Sequence, residues 1–448
     1  MNKINLLNLA NLEKILSPIV FMKTEPVIGL DFGTTNSAIA VAGSDRQATL
    51  ATFAGDLAAF RSILYFPTKE RGSPQQNTET KAGPEAINSY LEADTKGRLI
   101  VSIKSYLASS LFTSTNINGR NYTLEDLIAI ILRRLRMRVM DQFETSASRV
   151  VLGRPVRFAG ADNEADEALA LKRLQAAAEL AGFKEVSFEL EPVAAAYQYE
   201  TQLDHDELVL IGDFGGGTSD FTLAHLGPGR KKDGRSPVIG TSGVAIAGDT
   251  FDSRIMMRLV APKLGLGSHY VSLGKELPVP VWVYTQLSSW HHMFLLKEPK
   301  TMAVLREVKS QASEPKKVAA LIQIIAENLG YALYRAVEQT KVELTEKELG
   351  TFSFSQSTVH MEDSLERWQF ESWIQDDIQK IAACVQLLLD QCGVKSSDIG
   401  SVFLTGGSSF VPVVRRYFSR TFGADKLKSG EELTTVAKGL ALRALEPA

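Results

Sequence analysis

The sequence predicts an α/β protein of two related halves that face a single phosphate chain. Three observations predict it. An apolar strand pattern ending Asp31-Phe32-Gly33-Thr34-Thr35-Asn36-Ser37 recurs in mid-chain as Asp213-Phe214-Gly215-Gly216-Gly217-Thr218-Ser219-Asp220. Each phrase runs into a second apolar strand, Ala38 to Val41 and Phe221 to Ala224, so each reads as a β-hairpin with a tight turn. Elsewhere short apolar runs alternate with amphipathic stretches, the pattern of α/β layers.

The elements follow in order. Short strands are expected at Ala51–Phe53 and Ile63–Phe66, then a polar stretch from Gly72 to Gly83. An amphipathic helix from Leu124 to about Phe143 is opened by Thr123 as N-cap, with Asp126 three residues on. Val150–Leu152 reads as a strand, and Asp162–Ala181 as a helix stopped by Gly182. Another strand ends at Glu189–Glu191, and Pro192 suits the first turn of a helix from Val193 to Tyr199. After the second hairpin come a helix from about Thr250 to Ala261 and a helix-dominated region, Leu266–Leu344. Its longest helix is expected from Lys316 to Glu343. Val402–Thr405 is a strand, Gly406–Ser409 a turn, Pro412–Arg420 a helix, and about Thr434–Leu445 the last helix. The chain thus divides into an N-terminal extension (1–25), a first lobe (26–205) and a second lobe (206–448) with a helical insert at about 266–344.

At 448 residues, 44% hydrophobic and 23% charged, the chain has the profile of an ordinary soluble protein with room for two cores. A net charge of −3 advertises no nucleic-acid partner, and Arg230, Lys231, Lys232 and Arg235 sit among turn residues as a solvated loop. Charges interrupt every apolar run, so no membrane span is expected. Cys384 and Cys392 are too far apart on a helical pattern to bridge, which fits a reducing, cytoplasmic compartment. Asn8, Asn11, Glu13 and Lys14 break the first apolar stretch, making a poor signal peptide; the simplest reading starts the protein at Met22. Trp290, His291 and His292 read as an aromatic patch, since adjacent helical histidines point apart and no third ligand is evident.

The repeated phrases carry the chemistry. Glycine lets such turns take positive φ and bring backbone N–H groups toward an anion, while Asp31 and Asp213 end strands where a hydrated cation can be held. The third turn, Gly406–Ser409, opens a helix whose free N–H groups favour phosphate. Other phosphate loops fail on residues. The pair Gly274-Lys275 is followed by Glu276, not Ser or Thr, and both Asp-Phe-Gly turns lead into strands where a dinucleotide fingerprint needs a helix.

The two hairpins, Glu191-Pro192-Val193-Ala194-Ala195-Ala196 and Leu404-Thr405-Gly406-Gly407-Ser408 together resemble the actin, hexokinase and heat-shock ATPase superfamily. Within it, Asp31 to Ser37 and Gly215 to Asp220 resemble the seventy-kilodalton heat-shock (DnaK-type) chaperones. The length and the Trp290-His291 region resemble the YegD-type branch of chaperone-like proteins. The resemblance implies a two-lobed actin-like ATPase fold, duplicated ribonuclease-H-like domains around a nucleotide cleft, with ATP or ADP and Mg2+ bound there. Asp31, Asp213 and Glu191 would hold magnesium through water. Thr34, Thr35 and Asn36, with Gly33, would cradle the phosphates from one side and Gly215, Gly216, Gly217 and Thr218 from the other. Lys104, in Ser102-Ile103-Lys104-Ser105, would steady the transferred phosphoryl group, and Asp213 or Thr218 would orient the attacking water. Glu338 and Lys341 would contact the nucleoside, beside Gly406, Gly407 and Ser408. An unidentified client or co-chaperone protein is the implied partner.

The chain departs from that pattern in two ways. Val342 and Phe410 stand where the family has arginines that clamp adenine, a loss of about 1–4 kcal/mol that stacking on Phe410 would offset. The chain ends at Ala448, where such chaperones continue into a peptide-binding domain, so none is expected here. Pro155 matches the strand-end proline of the family, while Arg154, Val156 and Arg157 do not match its surroundings. The alternatives are an actin-like filament-forming ATPase, a nucleotide-binding scaffold without turnover, and a sugar or polyol kinase, for which no motif supplies a base.

Overall fold

The computed structural model describes residues 26–43, 47–53, 57–68, 79–93, 96–201, 203–229, 238–289, 293, 296–429 and 434–445. The N-terminal extension, the basic loop Arg230–Arg235, and Trp290, His291 and His292 lie outside the described residues.

Two sheets repeat one topology. In the first, the strands run Glu185–Leu190, Arg149–Arg154, Val27–Phe32, Asn36–Ala42, Ala48–Leu50, with Phe60–Arg61 pairing beside Asn36–Ala42. In the second they run Leu427–Ser429, Ser401–Thr405, Glu207–Phe214, Ser219–Leu226, Val238–Val244. The successive pairings are parallel, parallel, antiparallel and antiparallel in both. The two hairpins therefore occupy equivalent places, each with its aspartate one residue before the strand end: Asp31 opposite Ala38, and Asp213 opposite Asp220. Central strand segments such as Val27 to Leu30 and Val209 to Ile211 are buried on both faces, which is why they read as continuous apolar runs.

Each sheet has its own core. The helix Leu124–Phe143 covers the first, started by a Thr123–Asp126 capping box as its sequence predicts, and Glu164–Ala181 packs beside it, capped by Asn163 and ended by Gly182 in the left-handed conformation. A third cluster joins the halves: Val151, Ala194 to Ala196 and Leu440 meet Val209, Ile211 and Phe403. Its centre is the contact between the helices Glu191–Glu200 and Thr435–Arg443. Although last in sequence, Thr435–Arg443 lies against the first sheet. Contact is close because the facing residues are small. A Cβ at Gly439 would come within 1.7 Å of the Ala194 carbonyl oxygen, which backbone cannot evade. Gly439→Val is expected to cost about 3 kcal/mol or more and to lower the midpoint of thermal unfolding by about 5 °C or more. An unchanged midpoint would mean this helix is not docked in solution.

Three sequence expectations need correction. The strand expected at Ala51–Phe53 lies instead at Ala48–Leu50, where the backbone can pair with Ala40–Ala42. The single helix expected from Lys316 to Glu343 is two, Pro315–Ala326 and Gly330–Glu346. Between them Asn328 takes a left-handed conformation (φ 60°), and its carbonyl accepts a 2.8 Å bond from the Tyr90 hydroxyl of the first half. The helix-dominated region also opens with a hairpin, His269–Ser272 and Lys275–Pro278.

Candidate functional site

Between the sheets lies a cleft of about 240 Å3, lined by all three glycine turns. Its floor is acidic. Asp31 and Asp213 reach it from the two hairpin strands, and Glu191 from the start of its helix. Glu191 Oε1 accepts from Lys104 Nζ at 2.5 Å, both side chains less than a tenth exposed. Lys104 is aimed there by a single tight turn, Ile103–Tyr106, entered through Ser102 at φ 52°, a strained conformation for a residue with a Cβ.

Electrostatics set the protonation of this floor. Enclosure pushes the Asp31 carboxyl well above its ordinary value, with Glu191 and Asp213 adding to the rise against Lys104. Asp213 is pushed to about 8, by enclosure first and then by Glu191 and Asp220. Asp220 rises to about 7, again by burial and then by Glu191. Burial works against the Lys104 charge, but Glu191 and Asp31 outweigh it and hold its pKa above the ordinary lysine value. One cation thus faces four carboxylates, a set of hard oxygen donors that suits a divalent cation. Among the described residues no three His, Cys, Asp or Glu side chains converge to grip a metal ion directly.

The first two turns meet across the cleft. A Cβ on Gly216 would come within 2.8 Å of Thr35 Oγ1, and one on Gly217 within 3.8 Å of Thr34 Oγ1. Here the sequence expectation of positive φ is corrected: Gly33, Gly215, Gly216 and Gly217 do not have it. At Gly33 and Gly216 space decides instead, since a Cβ on Gly33 would lie 2.0 Å from the Asn36 carbonyl oxygen and one on Gly216 2.8 Å from Thr35 Oγ1. The third turn does need a left-handed residue. Gly406 has φ 82°, and a Cβ there would strike the Phe214 carbonyl at 2.1 Å. That turn sits beside the second because Thr405 pairs with Asp213, and Ser408 Oγ donates to the Gly215 carbonyl at 3.3 Å.

This combination of duplicated sheets and facing glycine turns accompanies a match in sequence: the family model described as Hsp70 protein matches residues 27–263 and 317–445. The chain belongs to the Hsp70 family. It is similar to the chaperone protein DnaK of Deinococcus proteolyticus, 25% identical over 430 residues that cover 93% of this chain and 58% of that one. It is equally similar to DnaK of Thermosipho africanus, 25% identical with 94% and 59% covered. The chain therefore spans less than two thirds of the length of these relatives. Its duplicated α/β sheets are the two-lobed actin-like ATPase fold of the Hsp70 family.

At the far end of the cleft of this Hsp70-family chain, the helix Gly330–Glu346 brings in Glu338 and Lys341. Lys341 Nζ is 2.8 Å from Asp252 Oδ2, which also accepts from the Tyr334 hydroxyl at 3.3 Å. Glu338 pairs with Arg335 at 2.7 Å and, across the cleft, with Arg61 at 3.3 Å. Arg61 also donates to Asn36 Oδ1 at 3.2 Å, so one guanidinium ties the first hairpin to the helix Gly330–Glu346. Val342 lines the cleft. Phe410 does not: it lies outside the lining, 42% exposed, with the Arg415 guanidinium over its ring at 5.9 Å.

Sequence reasoning assigned no role to Asp220, Asp249, Asp252 or Arg61. Asp220 ends the Gly-Gly-Gly-Thr-Ser-Asp phrase, and its Oδ1 accepts the Val156 N–H at 2.9 Å, linking the halves just after Pro155. Asp249 and Asp252 sit on one face of the helix that starts at Gly248, a spacing of three that offers the only sequence clue. Asp249 is pushed to about 6, by enclosure and then by Asp252.

Proposed function

We propose that this cleft binds Mg-ATP and hydrolyses it slowly to ADP and phosphate, in a chaperone-like ATPase whose useful output is closure of its two lobes. The lobes are 26–205 and 206–448, the last helix being docked on the first. One observation carries the reading: two facing glycine turns stand over a buried floor of carboxylates with Lys104 among them.

Asp31, Asp213 and Glu191 hold magnesium through its water shell, and the bound ion supplies charge neutralisation for the phosphates. Gly33 to Asn36 and Gly215 to Thr218 present backbone N–H and hydroxyl groups from opposite sides. Lys104, kept protonated by Glu191 and Asp31, counters the charge that grows on the transferred phosphoryl group. Asp213 and Thr218 orient the water whose oxygen forms the new bond to phosphorus as the bond to ADP breaks. Gly406, Gly407 and Ser408 steady the phosphate side, and Glu338 and Lys341 the sugar. Arg61 and Arg335 line the cleft and would meet the base where the family arginines are missing; Phe410 has no part in this scheme. A client or co-chaperone protein that reads lobe closure, and a cytoplasmic setting, belong to the same proposal.

The test is calorimetric titration of the full chain with Mg-ATP, alongside phosphate release under single-turnover conditions. Binding accompanied by turnover, both lost in Asp213→Ala, is the expected result. Tight binding with no phosphate release would overturn the ATPase and leave a nucleotide-binding scaffold.

A further inference from the structure

The helix Gly330–Glu346 turns one stripe of side chains toward the main cleft. Tyr331, Arg335, Glu338 and Val342 follow at spacings of four, three and four, which puts them on one face, and all four line the cleft. The polar members of this wall are spent on protein partners. Glu338 Oε2 takes Arg335 at 2.7 Å and Arg61 at 3.3 Å, and Arg61 bonds the Tyr331 hydroxyl as well. In the next row, Lys341 Nζ is held by Asp252 at 2.8 Å and by the Gly248 carbonyl at 3.4 Å, while the Tyr334 hydroxyl donates to Asp252. Asp249 lies at the glycine turns instead: its Oδ1 is 3.3 Å from where a Cβ on Gly216 would stand. Val342 ends the stripe, 48% exposed, with neither donor nor acceptor on its side chain.

We propose, on the reading that the phosphates lie at the glycine turns, that this cleft takes purine nucleoside triphosphates as a class and does not distinguish guanine from adenine. The two bases differ at their edges: where adenine carries an amino donor, guanine carries a carbonyl acceptor. A fixed donor or acceptor set against that edge must favour one base and leave the other unpaired, which is how sites reach discrimination of about 10⁴–10⁵-fold. Here the polar side chains of the wall are already paired within the protein. What remains for the base is surface, the Val342 side chain and the guanidinium planes of Arg61 and Arg335. Such surfaces accept either purine, because every base has a π-face. Glu338 and Lys341 meet the sugar, which the two nucleotides share. The substrate class is then set by the triphosphate and the ribose.

The experiment is calorimetric titration of the full chain with Mg-GTP beside Mg-ATP. The two dissociation constants are expected to differ by less than about thirtyfold. Val342→Phe, at a position exposed enough to take a ring, is expected to tighten both about fivefold or more and to leave their ratio where it was. The wild-type comparison involves no substitution, so its result does not depend on how a variant folds. ATP bound with GTP weaker by about thirtyfold or more would overturn the inference and leave the Mg-ATP reading standing. Val342→Phe tightening one nucleotide alone would also overturn it, since a stacking face does not choose between purines. Neither nucleotide bound would overturn the reading of the cleft, and this inference with it.

Discussion

Lys104→Met is expected to reduce phosphate release about 10²–10³-fold while Mg-ATP remains bound. Among the described residues the lysine is the cation placed among Asp31, Asp213, Asp220 and Glu191, and the nearby carboxylates keep it charged despite its burial. Methionine preserves the length of the stem and removes the charge that opposes the developing phosphoryl charge. The glycine turns and the helix Gly330–Glu346 are left in place by the change, so nucleotide binding is expected to persist. A second effect has to be separated from the first. Losing Lys104 strands Glu191, 8% exposed, without its 2.5 Å partner, and breaking a buried pair from one side costs about 3–5 kcal/mol. The double variant Lys104→Met/Glu191→Gln removes both charges, so most of that stability should return. Turnover should not. Recovery of phosphate release along with stability would mean that the lysine serves only to satisfy Glu191.

Much of the fold was legible because its strands and caps are local statements. The two hairpins follow from apolar strands around glycine turns, and the Thr123–Asp126 box marks its helix start within four residues. What was not legible depends on partners distant in sequence. Apolar periodicity runs straight through the break at Asn328, since Ile324, Ile325, Leu329 and Leu333 are all buried. The break is supported by a hydroxyl from Tyr90, more than two hundred residues earlier. Gly33 and Gly216 were read correctly as turn residues for the wrong reason, because a sequence shows that a Cβ is missing but not whether φ or crowding excludes it. In the site, Asp31 and Asp213 stood out because the phrase around them repeats. Arg61 has no motif, and its role arises only when the short strand Phe60–Arg61 pairs with Asn36–Ser37 and points it at Glu338. Phe410 aligned with a base-clamping position yet lies outside the cleft lining, a matter of where the tight turn Gly407–Phe410 leaves its last side chain.

Without magnesium, the protein should lose stability as pH rises from 5 to 8, and magnesium should reverse that slope. Asp213 at about 8, Asp220 at about 7 and Asp249 at about 6 all lie above the ordinary aspartate value of 3.8, and Asp31 is raised as well. A raised carboxyl pKa means that in this window the folded protein keeps protons the unfolded chain has released. Its contribution is therefore fully present below the unfolded value and is lost as pH climbs toward the folded one. The expected fall in the unfolding midpoint is on the order of 5 °C or more across the window. Glu338 acts in the opposite sense, since Arg61 and its neighbours hold it below its ordinary value against burial, but its contribution is lost only under more acidic conditions. His205, raised by its bond to Asp204, runs in the same direction as the aspartates, so a control is needed. Asp213→Asn supplies it: the variant should unfold with a flatter pH dependence and respond less to magnesium. Ionised carboxylates are what the hydrated ion pairs with, so its uptake expels protons and its apparent affinity climbs with pH. Thermal unfolding in chelator and in magnesium at each pH reads both slopes. A flat midpoint in chelator, unaffected by Asp213→Asn, would show that water entering the cleft already lets these carboxylates ionise, and magnesium would then be taken up without expelling protons from them.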